Sequence, residues 1–201
     1  MQKMNVAAGR VLPFRTGVHA MQSVNLSANY FELFDLPVNF ELDKVVLTER
    51  YRALQHVVHP DRFASATDRE KRLSVQKSAY INEALQTLKH PLKRAKYMLE
   101  LKDIDMSTET SIQMDQEFLI EQIELREEIS VIKSSQNPTQ SLLTVNSHIE
   151  QSIGKLIKEL TRLFASNDKD TLEKASDCVR RLQFFEKIQE EVETLEEQLL
   201  H

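Results

Sequence analysis

Apolar residues along this chain recur at intervals of three and four, the spacing of a helix, rather than alternately as on a strand. Between residues 42 and 58, Val45, Val46, Leu47, Tyr51, Leu54 and Val58 follow that spacing. Pro60 closes the segment because it has no backbone N–H to donate. Thr67-Asp68-Arg69-Glu70 has the form of a capping box, and it opens a second helix through Leu73, Ala79, Tyr80, Ala84, Leu85 and Leu88. The pattern predicts an antiparallel hairpin. His90-Pro91 interrupts it, and Pro91 suits a first helical position, so a shorter helix follows over 92–101.

Residues 103–113 are polar and aperiodic, with Ser107, Thr108, Thr110 and Ser111, and mark a boundary. Three longer helical patterns come next, over 115–134, 138–165 and 169–200. Ser134-Ser135-Gln136-Asn137 and Ser166-Asn167-Asp168 separate them, and such short connections predict an antiparallel three-helix bundle. The expected organisation is an extension at 1–27, a helical domain at 28–103, a linker at 104–113 and a bundle at 114–201.

Composition supports an all-α fold. Of the 201 residues 3 are Gly; Gly9 and Gly17 lie in the extension, so Gly154 alone interrupts the rest. The extension carries Lys3, Arg10 and Arg15 without an acid, and Met21 offers a second start. A transit peptide and a non-native leader both fit it. No apolar run approaches the ~20 residues of a membrane span, so the expectation is a soluble protein without a membrane partner. The single cysteine, Cys178, cannot form an internal disulfide or a thiolate metal site.

Charge divides the chain. Residues 30–102 hold 13 Lys/Arg against 10 Asp/Glu, and residues 103–201 hold 10 against 21, which predicts two domains with different partners. The basic residues of the first half are interleaved with acids and carry no nucleic-acid motif, so nucleic acid is not an expected ligand.

The chemistry-bearing residues do not assemble an enzyme. His56 and His59 have a spacing that could suit a metal, but Pro60 breaks the helix such a site needs, and His148 and His201 stand alone. There is no Gly-rich phosphate loop and no nucleophile with a neighbouring base, while Cys178 sits on an apolar helical face where burial is expected. No catalytic group, metal or cofactor is expected.

Two features point to binding. On the helix over 115–134, at ~100° per residue, Phe118, Leu125, Ile129 and Ile132 share one side and suit a bundle core, while Leu119, Ile120 and Ile123 form a second apolar stripe roughly opposite. Glu124 and Glu127 flank that stripe. A partner protein or the first domain could cover it. The second feature is His59-Pro60-Asp61 in the hairpin loop, where Pro60 stiffens a corner holding an imidazole and a carboxylate, with Arg52 and Arg62 nearby. Alone, the tripeptide fits a solvated capping loop equally well.

Its surroundings resemble a J-domain: Tyr51-Arg52-Ala53-Leu54 before it, Ile81-Asn82-Glu83-Ala84-Leu85 after it, then Pro91, Arg94, Ala95 and Tyr97. From Tyr30 to the C-terminus the chain is similar to the HscB family of J-domain co-chaperones, of bacterial type. The likeness rests on Tyr30-Phe31-Glu32-Leu33-Phe34, His59-Pro60-Asp61-Arg62-Phe63-Ala64, Leu88-Lys89-His90-Pro91-Leu92 and Glu121-Gln122-Ile123-Glu124-Leu125-Arg126-Glu127-Glu128. The resemblance implies an all-α protein, a J-domain joined to a C-terminal three-helix bundle. It implies that His59, Pro60, Asp61, Arg52 and Arg62 contact a DnaK-type chaperone of the HscA type and stimulate its ATP hydrolysis. It further implies that Leu119, Ile120, Ile123, Glu124, Glu127 and Phe184 bind the scaffold, of IscU type, on which iron–sulfur clusters are assembled. A cytoplasmic monomer without enzymatic activity is the corresponding expectation.

The sequence departs from these patterns in places. Val57-Val58 replaces the Lys-Tyr pair of many J-domains, Val131 stands where relatives carry another acid, and the N-terminal cysteine motif of some eukaryotic relatives is missing. A J-protein with a different client and a structural coiled-coil protein are the competing readings.

Overall fold

The computed structural model describes residues 24–104, 106, 116–166 and 168–200. Most of the expected extension (1–23) and of the expected linker (105 and 107–113) lies outside them. Every regular element among the described residues is helical: α1 (Tyr30–Leu33), α2 (Lys44–Val58), α3 (Asp68–Lys89), α4 (Pro91–Glu100), α5 (Gln116–Val131), α6 (Pro138–Phe164) and α7 (Lys169–Leu200), with 3-10 turns at Pro60–Phe63 and Ile132–Ser134. The all-α expectation holds.

By spatial proximity the chain forms two compact units, one of residues up to Pro37 with Asp43–Leu85, the other of Val38–Leu42 with Gln86–His201. This partition differs from the one by sequence pattern, since its boundary falls inside α3 and places α4 with the bundle.

In the first unit, local side-chain chemistry sets each helix start. Asn29 and Glu32 form a reciprocal capping box at α1. Asp43 accepts from the N–H groups of Val45 (2.8 Å) and Val46 (3.2 Å), which starts α2 at Lys44 rather than at 42. Thr67 and Glu70 close the box foreseen at α3, with the Thr67 N–H 2.9 Å from the Glu70 carboxylate. The α2–α3 hairpin is antiparallel. Tyr51 Oη donates to Asn82 (3.0 Å), Gln55 donates to Asn82 (2.6 Å) and to the Ser78 carbonyl (3.3 Å), and Ser74 donates to the Val58 carbonyl (2.7 Å). Leu47, Leu54 and Val58 of α2 are buried with Phe31, Phe34, Ile81 and Ala84. Val45, although within the helical pattern, is 66% exposed because it shares the outer face with Glu49 and Arg52.

The second unit is built on the three-helix bundle. Its core joins Phe118, Leu125 and Ile132 to Leu142, Val145 and Ile149 of α6 and to Phe185, Ile188 and Val192 of α7. Truncating a residue as buried as Leu125 to Ala removes about 2–5 kcal/mol of stability. At its other end α4 packs against α7. Arg94 of α4 is only 6% exposed, donates to the Leu88 carbonyl, and lies 4.8 Å over the ring of Phe40, which stacks on Phe164 at 5.5 Å. Burial lowers the Arg94 pKa from its ordinary value.

Candidate partner-binding sites

His59 ends α2 and begins the 3-10 turn, with φ −54° and ψ 127°, an extended conformation expected of a residue before proline. Its Nδ1 accepts from the Asp61 N–H at 3.3 Å and lies 3.6 Å from the Asp61 carboxylate, so the ring is held against the same residue. Both side chains face solvent, at 53% and 89% exposure. The turn is anchored from below by Phe63, which is buried. The outcome is a stiff, exposed corner presenting an imidazole and a carboxylate.

The two arginines behave differently. Arg52, two turns before His59 on the same side of α2, is exposed and makes no ion pair with another described residue. Arg62 folds back, donating from Nη1 to the His56 carbonyl (3.0 Å) and lying 3.1 Å from His56 Nδ1. It thereby satisfies one of the carbonyls that the end of α2 leaves unpaired. Arg62 therefore ties the turn to the end of α2, a contact that only the folded helix end reveals.

On α5 the two stripes separate as helical periodicity predicts. Phe118 and Leu125, with Ile132 just beyond the helix, are buried; Leu119, Ile120 and Ile123 are 40%, 48% and 58% exposed, and Glu124 and Glu127 are exposed beside them. Phe184, on α7, is half-buried and packs against the bundle core. Its ring meets Phe118 at 5.5 Å and Phe185 at 5.4 Å, both edge-on. Two neighbours extend this surface. Arg126 lies 5.8 Å over the Phe184 ring, and its signal was its place three residues after Ile123 and seven after Leu119. Val131, 56% exposed and eleven residues after Ile120, lengthens the apolar stripe.

Remaining chemistry is sparse. Among the described residues no group of three or more His, Cys, Asp and Glu side chains could hold a metal ion, and no helix is long and apolar enough to cross a membrane. Cys178 is buried, its thiol 3.4 Å from the Leu156 carbonyl, and burial pushes its pKa up to about 11.

Residues 114–193 match the family model of the HSCB C-terminal oligomerisation domain. A co-chaperone protein HscB homolog of Shewanella loihica is 44% identical over 175 residues, covering 85% of this chain and 99% of the relative. Another, from Photobacterium profundum, is 45% identical over 170 residues, covering 84% and 97%. Among solved structures, chaperone HscB from Vibrio cholerae superposes with a TM-score of 0.76 at 40% identity, covering 86% of this chain and 99% of that one. Human co-chaperone protein HscB gives a TM-score of 0.77 at 28% identity, covering 86% and 84%. The exposed His-Pro-Asp corner and the two-striped α5 thus sit in a chain that resembles these proteins over most of its length, and the chain belongs to the HscB family of co-chaperones.

Proposed function

We propose that this co-chaperone binds an iron–sulfur scaffold protein of the IscU type and delivers it to a DnaK-type chaperone of the HscA type, stimulating that chaperone's ATP hydrolysis during cluster maturation. In this reading the J-domain of residues 28–103 meets the chaperone through His59, Pro60 and Asp61, with Arg52 beside them and Arg62 bracing the corner. Residues 114–201 hold the scaffold through Leu119, Ile120, Ile123 and Phe184, with Glu124 and Glu127 at the rim. The protein contributes binding and positioning; the chaperone hydrolyses the ATP.

The observation that carries the reading is the apolar stripe of α5, which stays exposed while the opposite side of the same helix fills a core. Exposed apolar centres with charged rims are the usual anatomy of a protein interface. An ATPase assay with chaperone and scaffold together tests it. Stimulation that is greater with both proteins than with either alone supports delivery of this client. Stimulation without any scaffold effect would point to a J-protein with a different client, and no stimulation at all would overturn the co-chaperone mechanism proposed for the His-Pro-Asp corner.

A further inference from the structure

Five glutamates lie on α5, Glu117, Glu121, Glu124, Glu127 and Glu128, and Arg126 is its one cation. Side chains on a helix pair with neighbours three and four positions away. For Arg126 those are Gln122, Ile123, Ile129 and Ser130, none of them acidic. The guanidinium accordingly makes no ion pair with a described residue. It lies over the face of Phe184 instead, 5.8 Å from the ring centroid.

The position of this contact gives it consequence. Leu119, Ile123, Arg126 and Ser130 follow one another at helical spacing along one side of α5, so Arg126 stands where the apolar stripe meets the α7 aromatic. Phe184 meets Phe118 and Phe185, both buried, edge-on, and the exposed Arg126 lies over its ring. A second guanidinium, that of Arg181, lies 4.9 Å over Phe118 from the α7 side. Exposed cation–π contacts are weak and readily exchanged.

We propose that Arg126 is a cover on Phe184: in the free protein it masks the aromatic part of the docking face, and a docking scaffold displaces it. This rests on the scaffold-binding reading given above. It accounts for how Phe184, packed on the core side of α5, joins an interface centred on Leu119 and Ile123. The cover also acts as a selectivity device, since a partner must present apolar surface that competes with the guanidinium for the ring.

Two measurements test it. In the free protein, the Arg126 side-chain NMR signals should carry a ring-current shift that Phe184→Ala abolishes; unshifted signals, or a shift that survives Phe184→Ala, would overturn the cover without any partner present. With the scaffold protein added, Arg126→Ala should bind several-fold more tightly than wild type, through faster association, and should gain nothing in the Phe184→Ala background. Equal or weaker binding by Arg126→Ala overturns the proposal. So does an equal gain in both backgrounds, which would mark a simple change of surface charge. Leu119→Ala with Ile123→Ala separates the two ideas: retained scaffold affinity there defeats the docking reading itself, whereas lost affinity there with no gain from Arg126→Ala defeats only the cover.

Discussion

Ser74 donates a 2.7 Å hydrogen bond from its buried hydroxyl to the carbonyl of Val58, the last residue of α2 and the one that precedes His59. The bond ties α3 to the base of the His-Pro-Asp corner and satisfies a carbonyl that the helix end would leave unpaired. Ser74→Ala should therefore cost about 1–3 kcal/mol of stability, the desolvation penalty of a stranded buried acceptor. Denaturant unfolding followed by circular dichroism measures it. A change within about 0.5 kcal/mol, as for an ordinary surface substitution, would show that water replaces the hydroxyl there.

Asp61→Asn removes the exposed negative charge of the corner but keeps the backbone N–H that His59 accepts from. Stimulation of the chaperone's ATPase should be lost, with helical content and scaffold affinity unchanged. A variant that stimulates at the wild-type level would remove Asp61 from the chaperone contact.

The Thr67–Glu70 box makes a pH-dependent contribution. Hydrogen bonds from the Thr67 side chain, and then from its backbone, hold the Glu70 pKa below the ordinary value of 4.5. Because the folded-state pKa is the lower one, this stabilisation is complete at pH above that of the unfolded glutamate, and it disappears as the pH falls through the folded-state value. Thr67→Ala should lower the melting temperature at pH 7, and the gap from wild type should narrow below pH 4.5. A gap that stays constant through the acid range would mean that the carboxylate takes no part in the cap.

What was legible in the sequence was what periodicity and local caps encode. Phe118 and Leu125 against Leu119 and Ile123 could be separated on helical spacing alone, and the start of α3 on four residues. Phe40 could not be found this way. It lies in the loop before α2, flanked by exposed Asn39 and Glu41, and its partners Arg94 and Phe164 are 54 and 124 positions away. Arg94 gave no signal of burial either, because a guanidinium belongs in the core only where an aromatic face and a carbonyl receive it. Arg62 was legible as a cation beside the corner, and the geometry of the α2 terminus adds its bond to the His56 carbonyl. Phe40 and Arg94 share one cause: their burial together depends on a contact set by the fold rather than by the pattern of their own neighbours in sequence.

If one exposed face of α5 is a docking surface, the double variant Leu119→Ala with Ile123→Ala will show it in scaffold affinity measured alongside the unfolding midpoint. With 40% and 58% of these residues exposed, little core packing is at stake. Affinity should fall by about 2 kcal/mol or more, as for central apolar anchors, while the midpoint stays nearly unchanged. Undiminished affinity with a collapsed midpoint would instead place both side chains in the architecture of the protein and the scaffold site elsewhere.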